Sequence, residues 1–189
     1  DTLTDQLIEN IETSTLNGPV MVAKRKVKGN KIKGLSVPQV CLLNRDVSFD
    51  YMIIEADGAA KKSLKAHNKY EPAVAPCTTL FIIVIGYDII GKKLNIKNVH
   101  RPQAVARILK KPLDTRIQPS DLITMIKHPG GLLKGRPAAT RTTVILNKVS
   151  DDKFDEAKHL SDGILKYGPG INSVISGELN KPHQLLLFA

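Results

Sequence analysis

The chain has 189 residues, of which 42% are hydrophobic, and its 28 Lys and Arg residues outnumber 18 Asp and Glu residues to give a formal net charge of +10. This size and hydrophobic content suit one ordinary globular domain and exclude a disordered chain. The positive charge favours anionic partners such as nucleotide phosphates or acidic protein surfaces. Aromatic residues make up only 4%, without Trp, which argues against a nucleic-acid-binding protein that stacks bases. No apolar run approaches the ~20 residues that span a bilayer, so no membrane partner is expected.

The N-terminal sequence and the cysteines bear on where the chain works. The first residues lack both the basic start and the apolar stretch of a signal peptide. Cys41 and Cys77 lie far apart without a CxxC pairing, which fits a reducing cytoplasm better than a disulfide scaffold. Leucine and isoleucine at helical spacing predict an amphipathic helix over residues 2–13. Because the chain opens at once on this helix, we expect that it begins part-way into its fold.

The segment that follows is predicted to contain two strands and one helix. Residues 20–23 form the first predicted strand. The basic run over residues 24–33 is interpreted as either a solvated turn or a phosphate-facing loop. Ser36 is suited to cap the N-terminus of a short helix. Residues 51–54 form the second predicted strand.

The remaining predicted elements alternate between strands and helices. Residues 79–86 form a nearly continuous apolar run, as expected for a strand buried on both faces of a parallel sheet. Proline opens two helices, and a glycine-rich segment separates the second helix from the next strand. Residues 184–189 are compatible with a strand, a helix or a tail. In chain order the other elements are helices from Pro102 and from Pro119, the glycine-rich segment 128–137, a strand over 142–146, a helix over 151–166 and a strand over 173–175.

This alternation predicts an α/β fold with a mostly parallel sheet and helices on both of its faces. We expect a single α/β domain over residues 1–189, within which residues 87–140 form a helical and loop insertion or a lid. Ligands of such sheets bind beyond the carboxyl ends of the strands. The residues that follow each strand are therefore the first place to look for a functional site.

Two carboxylates follow the predicted strand over residues 51–54. Glu55 and Asp57 are two residues apart, so on an extended strand both side chains point the same way. Two acids held close together repel each other unless a cation or a shared proton intervenes. A Mg²⁺ ion bridged to phosphates is one solution, which predicts a metal-binding and catalytic role for both acids at a nucleotide site. In the alternative interpretation, Asp57 caps a turn and Glu55 pairs with a lysine.

A second motif follows the predicted strand over residues 142–146. Asn147 and Lys148 resemble the start of the Asn-Lys-x-Asp element with which GTPases read guanine, but Ser150 stands where the base-reading Asp would be. Asn147 and Lys148 are therefore candidate nucleotide contacts. An ordinary turn between a strand and a helix is the alternative.

Four further basic residues are candidate anion contacts. Lys65 follows the acid pair, and Arg101 lies just before a predicted helix start, where anions bind readily. Lys134 and Arg136 lie in the glycine-rich segment, which would act as a substrate lid or a phosphate clamp. The alternatives are a solvated Lys65 and a glycine-rich segment that merely connects two elements.

Seven short motifs occur in one order over most of residues 30–150, and the ordered set is more specific than any single motif. They are Glu55-Ala-Asp-Gly-Ala, Leu64-Lys65, Glu71-Pro72, Gly86-Tyr-Asp-x-x-Gly91, His100-Arg101-Pro102, His128-Pro-x-Gly-Leu-x-Lys-Gly135 and Leu146-Asn-Lys148. In this order they resemble the YqeC family, whose members are implicated in the maturation of selenium- and molybdenum-containing hydroxylases.

The resemblance implies a P-loop-NTPase-like fold with a glycine-rich phosphate loop near the N-terminus. It also implies Mg²⁺ and ATP or GTP as ligands, and a hydroxylase or one of its maturation proteins as partner. No GxxxxGK[ST] motif occurs in the 189 residues. We therefore expect a nucleotide-binding accessory protein for hydroxylase maturation. The alternative is a non-catalytic interaction module whose basic surface docks the hydroxylase or a maturation partner.

Overall fold

The structure, a computed structural model, describes residues 18–29, 31–47, 49–181 and 185–189. The helix predicted over residues 2–13 lies outside this part of the chain. Packing divides the chain into two compact units. The first unit is Asp1–Glu55 with Ala73–Cys77, and the second is Ala56–Pro72 with Thr78–Ala189.

The basic run of the first unit forms an antiparallel hairpin of strands β1 (Arg25–Val27) and β2 (Lys31–Lys33). The prediction of an exposed turn is confirmed only for Lys28 and Gly29, because the residues on either side form strands. Gly29 lies between the strands with a φ of 80°, a left-handed conformation that glycine adopts without strain. The predicted strand over residues 20–23 is not a strand in the structure. The first strand of the hairpin begins two residues later, at Arg25.

Helix α1 (Val37–Asp46) of the first unit begins where the sequence predicts. Ser36 precedes it, and the Ser36 backbone N–H donates to Gln39 Oε1 at 3.0 Å, as in a capping box. Val40 and Leu43, three residues apart, are buried, and they form the apolar side of this short helix. The helix prediction is confirmed.

The strand predicted over residues 51–54 is absent from the structure, which describes all four residues. Tyr51 is 89% exposed and Ile53 is 94% exposed, so this apolar segment is not a buried strand. A strand needs a hydrogen-bonded neighbour, and none of the strand pairs in the described part of the chain includes these residues. The prediction was wrong because an apolar run does not specify its partner.

The second unit contains a four-stranded sheet in the order β4–β6–β7–β8. The first three strands are parallel, and the last is antiparallel to its neighbour, which confirms the predicted mostly parallel sheet. A separate parallel pair, β3 with β5, lies in the same unit. The strands are β3 (Leu64–Lys65), β4 (Leu80–Gly86), β5 (Val99–His100), β6 (Arg141–Asn147), β7 (Ser173–Gly177) and β8 (Leu186–Phe188).

Three helices of the second unit surround the apolar core. The proline-led starts predicted for α2 and α3 are confirmed, and α4 follows a short 3-10 turn over Asp151–Lys153. Helix α2 packs on α3, α3 packs on α4, and α4 packs on β7. The helices are α2 (Pro102–Leu109), α3 (Pro119–Lys127) and α4 (Phe154–Tyr167). No helix in the described part of the chain has the length and apolar character needed to cross a membrane.

The two faces of strand β4 differ in exposure. Phe81 and Ile83 are buried, whereas Leu80, Ile82 and Val84 are 47%, 49% and 57% exposed. The prediction of a strand buried on both faces is therefore wrong, and helices on both faces of the sheet are not confirmed. The continuous apolar run suggested burial on both faces, but β4 carries apolar side chains on its exposed face as well.

The parallel strands end together at one edge of the sheet. Gly86 of β4 pairs with Asn147 of β6, which pairs with Gly177 of β7. The Gly86 N–H donates to the Ser63 carbonyl at 2.9 Å, and a Cβ atom on Gly86 would lie 2.5 Å from the Ser63 side chain. Glycine at position 86 thus allows the segment before β3 to close on this carboxyl edge.

Candidate functional site

Four polar side chains meet at the carboxyl edge of the sheet: Ser63, Asp88, Lys92 and Lys148, here called the edge cluster. Ser63 Oγ donates to Asp88 Oδ1 at 2.5 Å, and Lys148 Nζ donates to Ser63 Oγ at 3.0 Å. Lys92 Nζ donates to Asp88 Oδ2 at 2.6 Å. Burial raises the pKa of Asp88, but hydrogen bonds from Lys92 and Ser63 and the charge of Lys148 outweigh this effect and lower it. Asp88 is therefore an anionic carboxylate at neutral pH.

A cavity of about 380 Å³ opens beside the edge cluster and is lined by Asn147, Lys148 and residues 178–180. Asn147 Oδ1 accepts the backbone N–H groups of Lys148 at 2.8 Å and of Leu179 at 3.0 Å. Asn147 therefore ties the end of β6 to the segment after β7 and holds the cavity wall in place. Lys148, with a φ of 64°, is in the left-handed region, and its side chain is 52% exposed.

A second group of charged residues lies around β3 and β5: Asp57, Lys65, His67, Glu71 and Arg101, here called the buried charge cluster. Lys65 Nζ lies 2.8 Å from Asp57 Oδ2 and 2.9 Å from Glu71 Oε2. The Arg101 guanidinium donates hydrogen bonds to both carboxylate oxygens of Glu71, at 2.6 and 2.8 Å. His67 Nδ1 lies 2.7 Å from Asp57 Oδ2. Two carboxylates are thus matched by two fixed cations.

Local backbone structure brings these side chains together. The parallel pairing of β3 with β5 places Lys65 opposite His100, next to Arg101. Arg101 precedes α2 with a φ of 60° and also donates to the Ala66 carbonyl at 3.0 Å. The Glu71 N–H donates to the Asn68 carbonyl at 3.3 Å, so the loop turns back and carries Glu71 over Lys65.

The neighbouring positive charges lower the pKa values of both carboxyl groups in this cluster. The hydrogen bond from Arg101, with smaller contributions from Lys65, outweighs the opposing effect of burial and lowers the pKa of Glu71 to about 2. Burial raises the pKa of Asp57, but the neighbouring His67 and Lys65 outweigh it and the net pKa is lowered. Burial, Arg101 and Lys65 lower the pKa of His100. Both carboxylates are therefore ionised at neutral pH.

The structure brings together three of the residues that the sequence predicts for the site. Asp57, Lys65 and Arg101 belong to the buried charge cluster, where Lys65 is buried and hence not solvated. Lys134 lies at its rim, because Lys134 Nζ donates to the Asn68 carbonyl at 2.6 Å. Glu55 is exposed and belongs to the first unit, whereas Asp57 belongs to the second.

The other predicted residues lie at opposite ends of the sheet. Asn147 and Lys148 line the cavity at the carboxyl edge. Arg136 donates to Thr142 Oγ1 at 3.2 Å and to the Gly170 carbonyl at 2.9 Å, near the start of β6. Five residues of a strand span about 16 Å, so Arg136 and Lys148 do not share one site.

Sequence reasoning missed Ser63, His67 and Asp88. Asp88 follows the apolar strand β4 by two residues, so the rule that drew attention to the acids after residues 51–54 could also have found it. Ser63 and His67 lie two residues either side of Lys65. The hydrogen bond from the Gly86 N–H brings Ser63 to the sheet edge, and the pairing of β3 with β5 brings the segment that contains His67 beside Arg101. Nothing in their sequence pattern marks them.

The residues around Asp57 are a poor fit to the predicted Mg²⁺ ion. Lys65 already places a cation on Asp57, and its side chain is only 8% exposed. The nearest further ligand is the imidazole of His67, whereas Mg²⁺ prefers oxygen ligands and retains several waters. Asp88 is a better fit, because an oxygen of Ser63 accompanies it and its lysine partners are 46% and 52% exposed.

The fold and these clusters define an α/β protein with a polar site at the carboxyl edge of a mostly parallel sheet. The chain belongs to the YqeC family, because a profile described as "YqeC protein" matches residues 2–103. It is also 30% identical, over 139 residues, to a protein of Escherichia coli (strain K12) described as "Uncharacterized protein YqeC". That alignment covers 72% of this chain and 54% of the relative, so the chain spans about half of the relative's length. No solved structure matches.

Proposed function

We propose that this protein binds the phosphates of ATP or GTP together with Mg²⁺ at the carboxyl edge of its sheet. In this role it would serve in the cytoplasm as an accessory protein for the maturation of selenium- and molybdenum-containing hydroxylases. The observation that carries the proposal is the cavity where β6 and β7 end, with Lys148 in its wall. Ligands of parallel α/β sheets bind at this position, in P-loop-NTPase-like folds as in others.

The charges at this edge support an anionic ligand. Lys92 and Lys148 are the basic residues of the edge cluster, and both side chains are about half exposed. An exposed lysine can turn from Asp88 to a phosphate at little cost, since a surface ion pair contributes only about 0–1 kcal/mol. Lys65 and Arg101, by contrast, already donate hydrogen bonds to Glu71 and are less available to a phosphate.

Asp88 and Ser63 are the residues that would hold the metal in this proposal. A carboxylate and a hydroxyl that lie together are the protein ligands with which many nucleotide-binding sites position Mg²⁺. The sequence-based assignment of Mg²⁺ to Glu55 and Asp57 stays a prediction, and the balance of charge around Asp57 disfavours it. The bound metal would neutralise phosphate charge and orient the nucleotide at the cavity.

Calorimetric titration with ATP and with GTP, each with and without Mg²⁺, tests the proposal. We expect Mg²⁺-dependent binding that Lys148→Ala weakens by at least about tenfold, since a hydrogen bond to a charged group contributes about 1.5–3 kcal/mol. We expect Asp88→Asn to reduce the dependence on Mg²⁺. Lys158→Ala and Asp162→Asn, at exposed positions of α4, are matched controls that should leave binding unchanged. Absence of binding, or equal loss in the controls, would contradict the proposal.

A second candidate function is the non-catalytic interaction module, and the basic hairpin favours it. Arg25 and Lys33 face each other across β1 and β2, an arrangement of like charges that destabilises a hairpin in isolation. An acidic partner surface would relieve that repulsion. This function predicts that a selenium- or molybdenum-containing hydroxylase is retained without nucleotide and released by salt. Lys33→Glu should abolish retention, and Lys158→Glu should not. Retention that is insensitive both to salt and to Lys33→Glu would exclude the module.

A further inference from the structure

His67 is a buried histidine whose ring nitrogens are not satisfied by the protein. Its side chain is 7% exposed, and neither Nδ1 nor Nε2 has a hydrogen-bond partner among the described residues. Asp57 Oδ2 lies 2.7 Å from Nδ1 and 2.8 Å from the Lys65 ammonium, and neither contact has the geometry of a hydrogen bond. Burial of polar atoms without a hydrogen-bond partner is unfavourable. An arrangement of this kind therefore points to a ligand.

Three ligand atoms converge at this place. One atom each from Asp57, His67 and Glu71 lie within 4.8 Å of one another. Loop geometry holds them there, because Asn68 Nδ2 also donates to Glu71 Oε1 at 3.2 Å. Arg101 fixes the Glu71 carboxylate from the opposite side through two hydrogen bonds. Support of ligand carboxylates by such outer hydrogen bonds is a general feature of metal sites.

We propose that Asp57, His67 and Glu71 bind a divalent transition-metal ion of the Zn²⁺ class. One imidazole and two carboxylates are the ligands that Zn²⁺ accepts, and they leave a fourth position open for water or for another ligand. The imidazole sets this site apart from the Mg²⁺ site proposed at Asp88, since imidazole suits Zn²⁺ and related ions whereas oxygen ligands suit Mg²⁺. The site does not depend on nucleotide binding.

Lys65 is the competitor for this ion. Its ammonium donates to the Gly58 carbonyl at 2.8 Å and lies within 2.9 Å of both ligand carboxylates. The ammonium thus neutralises the carboxylates in the absence of metal, and the ion would displace it. Removal of the ammonium should therefore strengthen metal binding, whereas a purely structural ion-pair cluster would only lose stability.

Zn²⁺ titration of the metal-stripped full chain by calorimetry, followed by metal analysis after dialysis, tests the proposal. We expect one ion per chain, a loss of affinity of at least about tenfold in His67→Gln and a gain in Lys65→Met. His159→Gln, an exposed histidine of α4, is the matched control and should bind as the unmodified chain does. Unchanged affinity in His67→Gln, or weaker binding in Lys65→Met with its fold intact by circular dichroism, would overturn the proposal.

A measurement on the unmodified protein covers the case in which a variant does not fold. Co²⁺, a paramagnetic substitute for Zn²⁺, should shift or broaden the amide resonances of Asp57, His67 and Glu71 first. Perturbation centred on Asp88, or spread over exposed acids, would overturn the assignment to His67. Because this experiment contains no nucleotide, its failure would leave the proposed nucleotide site untouched, and failure of the nucleotide titration would leave the metal site untouched.

Discussion

Lys65 carries a full charge in a buried position, with a side chain 8% exposed, and its partner Glu71 is 23% exposed. Such charges are stable only when hydrogen bonds replace the lost hydration, and here Lys65 and Arg101 both donate to Glu71. Replacement of one partner would leave the other charge unmatched, whereas exposed pairs such as Lys153 with Glu156 contribute little. At the scale of single residues, the buried charge cluster is therefore a fixed feature of the fold, and the exposed lysines of the edge cluster are free to respond to a ligand.

Tyr87 gives a prediction of pH dependence at the same scale. It is 5% exposed and lies 3.5 Å from Glu156, and burial together with the charge of Glu156 raises the pKa of Tyr87 to about 12. The unfolded chain loses this proton near pH 10. The contribution of Tyr87 to the free energy of unfolding is therefore complete below about pH 10 and is lost as the pH rises towards 12.

Spectrophotometric titration of tyrosinate formation checks this prediction. We expect Tyr87→Phe to remove the ionisation step near pH 12 and to flatten the alkaline loss of stability. Tyr167→Phe, at a half-exposed tyrosine, should retain both. An unchanged titration curve in Tyr87→Phe would show that the phenol is not shielded as the structure indicates.

At the scale of elements, local signals predicted the helices well and the strands unevenly. Ser36 and the prolines at positions 102 and 119 mark helix starts because capping and a fixed φ act within one turn. Residues 51–54 look equally clear as a strand, yet a strand exists only if a neighbour pairs with it. The basic hairpin was not predicted because its many lysines obscure the alternating pattern of a strand. The sequence alone does not decide the conformation of β8, because it does not identify β7 as its pairing partner.

The pair of thiols in the first unit gives a prediction that belongs to this scale. Cys41 of α1 and Cys77 are 36 residues apart in sequence, and their Sγ atoms lie 2.8 Å apart as free thiols. We expect glutathione disulfide to convert them to an intramolecular disulfide, with both protons and both electrons leaving in two molecules of glutathione. In the loop-closure estimate this bond would stabilise the unit by about 4 kcal/mol.

Peptide mapping under non-reducing conditions checks for this bond. A cross-linked peptide pair containing Cys41 and Cys77 should appear on oxidation and should be absent from the variant Cys41→Ser. If oxidation yielded only mixed disulfides with glutathione, the two side chains would not lie as the structure has them.

At the scale of the whole molecule, the sequence predicted the sheet type and only part of the site. Alternating elements are enough to predict a mostly parallel sheet, and hence an edge at which Asn147 and Lys148 lie. They do not predict which segments become neighbours. The contact of Ser63 with Gly86 and the pairing of β3 with β5 beside His67 could therefore not be predicted. The separation of Arg136 from Lys148 likewise follows from strand direction and not from any local pattern.

Amide chemical-shift mapping with Mg²⁺ and ATP or GTP would locate the bound nucleotide phosphates, which we propose lie at the carboxyl edge. We predict that the largest changes occur at Asp88, Lys148 and Leu179, around the cavity. Changes concentrated instead on Asp57, His67 and Glu71 or on the basic hairpin, or no changes at all, would rule out binding at the carboxyl edge.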